Sequence, residues 1–300
     1  MNILSTFITA LPGAVAQGII WGIMALGVYM TFRILNVSDL TVDGSLATGG
    51  AVCIMLMKEG HNTGVALLAS VIAGMTAGLV TGLLHTKCKI PAILSGILTQ
   101  LSLYSINLRI MESKANQPIS VDKYDLIVSQ RYVREAGLGN PIFKLLAFSI
   151  VLIALLYWFF GTEMGSAIRA TGNNVNMARA QGINTDSNIV FGLMIGNGLV
   201  ALSGGLLAQY QGATDVNMGR GAIVIGLAAV IIGEVIFGKI FINFALRMSA
   251  VVFGAVIYYI VLQLVLTLGL NTNDLKLITA VIVAIFLTVP NIRKGVKKNA

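Results

Sequence analysis

GTEMGSAIRATGNNVNMARAQGI, Gly161–Ile183, is a polar stretch rich in glycine and asparagine, set between two strongly apolar runs, Phe143–Phe160 and Ile189–Leu207. Runs of about 18 to 20 apolar residues match the hydrocarbon thickness of a bilayer. The stretch between them does not belong in hydrocarbon, because it carries Arg169 and Arg179 and charge at membrane depth is costly. Its Met-Ala-Arg-Ala core, Met177–Ala180, favours a helix. We read a short helix at the membrane surface, presented to a partner, in a chain that is otherwise embedded in lipid.

Working outward, composition agrees. The chain of 300 residues is 56% hydrophobic and only 11% charged, with a mean hydropathy of +0.87. Soluble domains carry roughly 25% charged residues. The apolar runs are continuous rather than alternating, which excludes a membrane β-barrel. The 33 glycines suit helices packed closely in lipid. The net charge of +8 is read as basic residues that fix membrane orientation, with no nucleic-acid partner. Cys53 and Cys88 lie far apart without CxxC spacing, so neither a disulfide framework nor a metal motif is expected. The start, MNILSTFITALPGA, lacks a basic n-region, and no cleaved signal peptide is expected.

Spans are predicted at Leu11–Phe32, Gly44–Met57, Val65–Leu84, Ile90–Leu108, Pro141–Phe160, Ile189–Tyr210, Gly221–Phe237, Leu246–Leu268 and Leu275–Pro290. This is an all-α polytopic membrane protein of about nine transmembrane segments, in a range of about eight to ten. Met1–Ala10 reads as an interfacial helix, and Pro12 as a residue at a helix start. Gly44–Met57 is short, with Gly49–Gly50 near its start, and reads as a broken or partly re-entrant helix. Gly74, Gly78 and Gly82, four apart, form a helix-packing face. Residues 109–140 form the longest hydrophilic stretch, a surface loop with room for a small hairpin.

Lysine and arginine set the orientation. Arg33, Lys87, Lys89, Arg169, Arg179, Lys239, Arg247 and the basic tail, residues 291–300, fall on one side, against Lys58, Arg220 and Lys276 on the other. The richer side is the cytoplasm. That puts the C-terminus and segment 161–187 inside, and loop 109–140 and the N-terminus outside.

Catalysis finds no support. GEVIFGKI, Gly233–Ile240, approaches a phosphate-binding loop, but Ile240 stands where the Mg²⁺-ligating hydroxyl belongs, and the glycines belong to an apolar span. His61 and His85 sit in separate loops, and no HExxH occurs. Asp39 and Asp43 are spaced i, i+4 but fall in SDLTVDGS, where Asp-Gly reads as a turn. Polar residues in the spans carry more. Glu234 is a candidate buried acid, functional or paired with Lys239 or Arg247. Gln100, Asn107, Asn197, Ser203, Gln209 and Gln211 stud the fourth and sixth spans and their ends, either bonding helix to helix or lining a solute path. SDLTVDGSLATGG combines acids, hydroxyls and glycines at the entry to a weak span. Transporters build sites from such interrupted helices; a plain turn with a capping Asp39 or Ser38 is the alternative.

At this point the residues resemble a family. Gly165–Ile183 is similar to the cytoplasmic coupling segment of ABC-importer permeases of the branched-chain amino-acid and ribose type, through R-A-x-G-x-N-x-x-x-A-x-x-x-G-I at Arg169, Ala170, Gly172, Asn174, Ala178, Gly182 and Ile183. Asn36–Val52 resembles the family's Gly-rich second-span region, in an acidic form similar to a subgroup associated with tryptophan, tyrosine and other aromatic solutes. Gly226–Gly238 also looks like the family.

The resemblance implies one transmembrane permease domain over residues 1–300, in a bacterial-type cell membrane, pairing with a second copy. It implies two cytoplasmic ATPase subunits, which bind ATP and Mg²⁺ so that this chain needs no cofactor, and an external solute-binding lipoprotein. The ATPase-coupling residues would be Arg169, Thr171, Gly172, Asn173, Asn174, Met177, Ala178, Arg179, Gly182 and Ile183, with Met177, Ala178 and Ile183 as the apolar docking face. Asp39, Thr41, Asp43, Ser45, Asn197 and Gln209 are the path or gate candidates. Competing readings are an ion-gradient-driven secondary transporter using Glu234 and SDLTVDG, and a membrane enzyme, which lacks clustered catalytic residues.

Overall fold

A computed structural model describes residues 3–133 and 140–269, and singly residues 277, 279–281, 283–285 and 288. Over these the chain forms α1 (Ile3–Val28), a π-helical turn (Tyr29–Ile34), α2 (Val42–Lys58), α3 (Thr63–Thr86), α4 (Ala92–Ile110), β1 (Asn116–Pro118), α5 (Pro141–Gly161), α6 (Glu163–Asn173), α7 (Val175–Ala180), α8 (Thr185–Gln211), β2 (Ala213–Asp215), α9 (Ala222–Phe237) and α10 (Phe244–Thr267). Among the described residues five stretches are long and apolar enough to cross a membrane: Leu4–Ile34, α3, α5, α8 and α10; α9 is a shorter apolar helix. The protein is a polytopic helical membrane protein.

Helix α8 is the axis. Of its apolar stretch 83% is buried, against 17% for α5, which lies on the outside of the bundle. Helices α1, α2 and α3 pack on α8; α9 and α10 pack on α1 and on each other; α4 covers α2 and α3. Glycine makes this closeness possible. A Cβ on Gly74 or Gly78 would overlap the Asn197 or Leu193 carbonyl oxygen, and one on Gly82 would press on Val190. The predicted packing face is therefore the α3–α8 seam. Backbones approach this closely only over small residues.

The two ends of the bundle differ. At one end β1 and β2 pair antiparallel, Gln117 opposite Thr214. Lys58 donates to the Gln117 side chain there, and Thr63 to the Asp125 carbonyl. The other end carries α6 and α7. Helix α5, about 30 Å long at 1.5 Å per residue, separates loop 109–140 from segment 161–187.

Several predicted elements are corrected. Helix α1 begins at Ile3 and runs through Pro12, so Met1–Ala10 is no separate interfacial helix as far as it is described. A membrane helix tolerates the freed carbonyl when its surroundings re-satisfy it. Helix α2 is short but unbroken: Gly49 and Gly50 lie inside it and serve packing, not a break. The irregular backbone comes just before it, in residues 35–41. Loop 109–140 forms no hairpin of its own among the described residues; its strand pairs with β2. The predicted span Leu275–Pro290 lies largely outside the described residues, as does the tail 291–300 entirely.

Candidate functional site

The polar stretch folds as two short capped helices. Thr162 accepts from the Gly165 N–H at the start of α6, and Asn174 from the Met177 N–H at the start of α7. Such side-chain caps satisfy amides that a helix start leaves free. Gly182, at φ +79°, makes the turn into α8 in a conformation that favours glycine. Asn184 then caps α8 by accepting from the Ser187 N–H.

Helix α6 is clamped to the bundle. Ile168 and Thr171 are buried, and the Thr171 hydroxyl accepts from Asn188 Nδ2 at 3.2 Å. Gly172 meets the Ile34 carbonyl so closely that a Cβ would overlap it. Arg169 lies over the Phe244 ring, 5.9 Å from its centroid. In α7 the orientation differs from the predicted docking face. Ala178 is 3% exposed and turned into the bundle, Ile183 is half-buried, and Met177 is 63% exposed. Of the two that lie in α7, the smaller, Ala178, takes the inner face and Met177 the outer. Val175, Met177 and Arg179 with Asn173 and Asn174 make the outer surface. Arg179 is tied down by Asp186 at 3.0 Å and by Thr185 at 3.1 Å.

A buried polar network surrounds the start of α2. Asp39 is 2% exposed. It accepts from the Thr41 backbone N–H at 2.9 Å and from Asn197 Nδ2 at 2.6 Å. Ser45 donates to Asn197 Oδ1 at 2.6 Å. The Thr41 hydroxyl bonds Thr81 at 2.7 Å, and Thr81 bonds Thr99 at 2.9 Å. Four helices are thereby joined through one half-turn of chain: α2, α3, α4 and α8. Asn197 stands near the middle of α8, so the network lies at mid-depth, where each bond is worth more than in water and each unpaired group costs more.

Asp43, four residues on, does not join it. Its carboxylate accepts from the Gly221 and Ile223 N–H groups at 2.9 and 3.0 Å, and so caps α9. Gln209 stands apart too, near the strand end. It accepts from the Ile127 N–H at 3.2 Å and contacts Cys53 Sγ at 3.3 Å, tying loop 109–140 to α8. The path candidates are thus divided: Asp39, Thr41, Ser45 and Asn197 together, Asp43 beside them, Gln209 near one end.

Glu234 pairs with Arg33, at 2.7 Å, not with Lys239 or Arg247. The partner is remote in sequence and lies in the π-helical turn, which is why spacing did not reveal it. The side chains are 59% and 38% exposed, so the pair is worth under about 1 kcal/mol. Thr81, Thr99, Tyr104 and Arg220 were missed as members of polar sites. A threonine in a membrane helix carries little signal, since it also bonds its own helix.

The geometry is a helical membrane bundle with a mid-depth polar network and a capped segment at one end. Comparison with known proteins narrows this. Residues 11–289 match the family described as the permease component of the branched-chain amino acid transport system, and the chain belongs to this family of ABC permeases. It is 42% identical over 282 residues, 94% of this chain and 92% of the relative, to the tyrosine transport system permease protein of Clostridioides difficile (strain R20291). It is 34% identical to the uncharacterized protein RP368 of Rickettsia prowazekii (strain Madrid E), over 96% of this chain and 98% of that one. The autoinducer 2 import system permease protein LsrC of Photorhabdus luminescens is 28% identical over 71% of this chain and 62% of its own length. The protein is accordingly a permease component of an ABC-type transport system.

Proposed function

We propose that this permease imports an amino acid, aromatic by preference, delivered by an external binding lipoprotein and driven by two cytoplasmic ATPase subunits docked on α6 and α7. Two copies pair around the solute path. Each has about nine spans, with the basic C-terminal tail and α6–α7 in the cytoplasm and loop 109–140 outside. The ATPase subunits hold ATP and Mg²⁺. The 42% identity to a tyrosine permease over nearly the whole chain supports the solute class.

One observation carries the mechanism: Gly172 of α6 rests on the Ile34 carbonyl, a few residues before Asp39. Force applied to α6–α7 by a closing ATPase dimer therefore reaches residues 34–41 through backbone contact. Leu35, buried, packs against Gly192 and passes the same displacement to α8. Asp39, Thr41, Ser45 and Asn197 then act as the latch of α2, and Asp43 and Gln209 hold the neighbouring α9 and the outer loop. Closely packed interfaces switch between discrete arrangements rather than deform gradually.

The test is co-purification of the tagged permease with the products of neighbouring genes, beside Met177→Glu. Met177 is 63% exposed, so the variant is expected to fold. Wild type should bring down an ATPase subunit, and Met177→Glu should retain less than about a tenth of it, a cost of about 1.4 kcal/mol or more. Equal recovery would remove α7 as the docking element. For the gradient-driven reading, Glu234 is paired with Arg33 at 2.7 Å, which leaves the acids of residues 38–45 as its candidates.

A further inference from the structure

A cavity of about 360 Å³ opens beside the start of α2, between α4 and residues 216–220. Three polar side chains of α4 line it, Gln100, Tyr104 and Asn107, at i, i+4 and i+7, one face of the helix. Asp43 and Arg220 complete its polar wall. The volume falls in the roughly 300–1,000 Å³ range of small-molecule sites.

The wall is unsatisfied. Asn107 is 1% exposed, and neither its amide oxygen nor its amide nitrogen has a hydrogen-bond partner. Buried polar atoms are nearly always bonded, so an orphan pair calls for a missing partner. Among the described residues, no side-chain hydrogen bond or ion pair engages Gln100, Tyr104 or Arg220 either. Asp43 accepts the Gly221 and Ile223 N–H groups at 2.9 and 3.0 Å, with the Ala222 N–H also against it, and a carboxylate has about four acceptor sites. Opposite charges lining one cavity, with amides and an aromatic ring in the same wall, match a zwitterion.

We infer that this cavity is a solute station on the path, built for a zwitterionic amino acid. Arg220 takes the carboxylate, in the two-pronged geometry a guanidinium offers. Asp43 takes the ammonium, Asn107 and Gln100 hydrogen bond the solute, and Tyr104 packs on its side chain. A sugar or nucleoside would leave both charges idle. The inference rests on the amino-acid reading above and adds where the solute sits.

Two experiments on the permease, assembled with its ATPase and binding protein in lipid, test it. In the first, Leu101→Cys, at an exposed residue of the cavity wall given no contact with the solute, in a Cys88→Ser background is labelled with a cationic methanethiosulfonate, with L-tyrosine, L-leucine or D-ribose delivered through the binding protein. A transported amino acid should slow labelling at least threefold and ribose should not, and Arg220→Ala should abolish the protection. In the second, Asn107→Leu, near in size and apolar, should keep or raise thermal stability while uptake falls at least tenfold, because functional sites trade stability for use.

Labelling unaffected by amino acids that the same complex still takes up would overturn the inference and leave the transport function standing. Leu101→Cys that crosslinks to a second permease copy and resists labelling would also overturn it, giving the cavity to the dimer contact. Wild-type uptake of no amino acid would remove the underlying reading, and the station with it.

Discussion

Replacing Gly49 by valine is expected to prevent stable assembly of the bundle. In α2 a Cβ at this position would overlap the Ala201 carbonyl of α8, and reciprocally a Cβ on Gly204 would overlap the Leu46 carbonyl. The two backbones touch at both points, so no side chain can move aside to make room. The Gly49 carbonyl is itself used, accepting from the Ser70 hydroxyl at 2.9 Å. Adding bulk to a packed core typically costs about 1–3 kcal/mol; with backbone on both sides we expect about 3 kcal/mol or more. Thermal unfolding of the purified protein in detergent reads this, with Gly161→Ala as the control, since nothing stands within 4 Å of a Cβ there. An unchanged midpoint for Gly49→Val would show that α2 and α8 are not held as described.

Asp39→Leu is expected to be nearly as damaging. The change leaves the Thr41 N–H and one bond of the Asn197 amide without an acceptor, in a region closed to water. Each buried group left unpaired costs about 1–3 kcal/mol, so a loss of about 2–4 kcal/mol is expected. A double-mutant cycle with Asn197→Leu isolates the pair. We expect a coupling of about 2 kcal/mol, within the range for residues in one network. Additive losses would mean that Asp39 and Asn197 act independently, and the latch at α2 would fall with them.

Much of this architecture was legible in the sequence because it depends on local pattern. Run length marks a span wherever the chain is apolar enough, and α3, α5, α8 and α10 begin and end within a few residues of the predicted runs. The α6–α7 segment was legible because charge, asparagine caps and glycine interrupt those runs. What escaped depends on distant partners. Glycine has two uses, freedom and closeness; Gly49–Gly50 read as a break until α8 supplied the backbone they lie against. Asp43 read as part of an Asp-Gly turn, while its carboxylate caps α9 across 178 positions of sequence. The β1–β2 pairing spans only three residues on each side, too few for alternation to register. Ala178 and Met177 are neighbours of similar helix propensity, and only the packed structure tells which one points inward. The Gln100–Tyr104–Asn107 stripe did have a signal, its helical spacing, but a stripe bonding a neighbouring helix has the same spacing.

The most direct measurement is uptake into proteoliposomes holding the permease with its ATPase, with the binding protein outside. Labelled L-tyrosine and L-leucine should accumulate only when ATP is supplied to the ATPase face. Accumulation should survive an ionophore that collapses ion gradients and should stop with Met177→Glu. Uptake that proceeds without ATP and vanishes with the gradient would contradict a permease driven through α6 and α7.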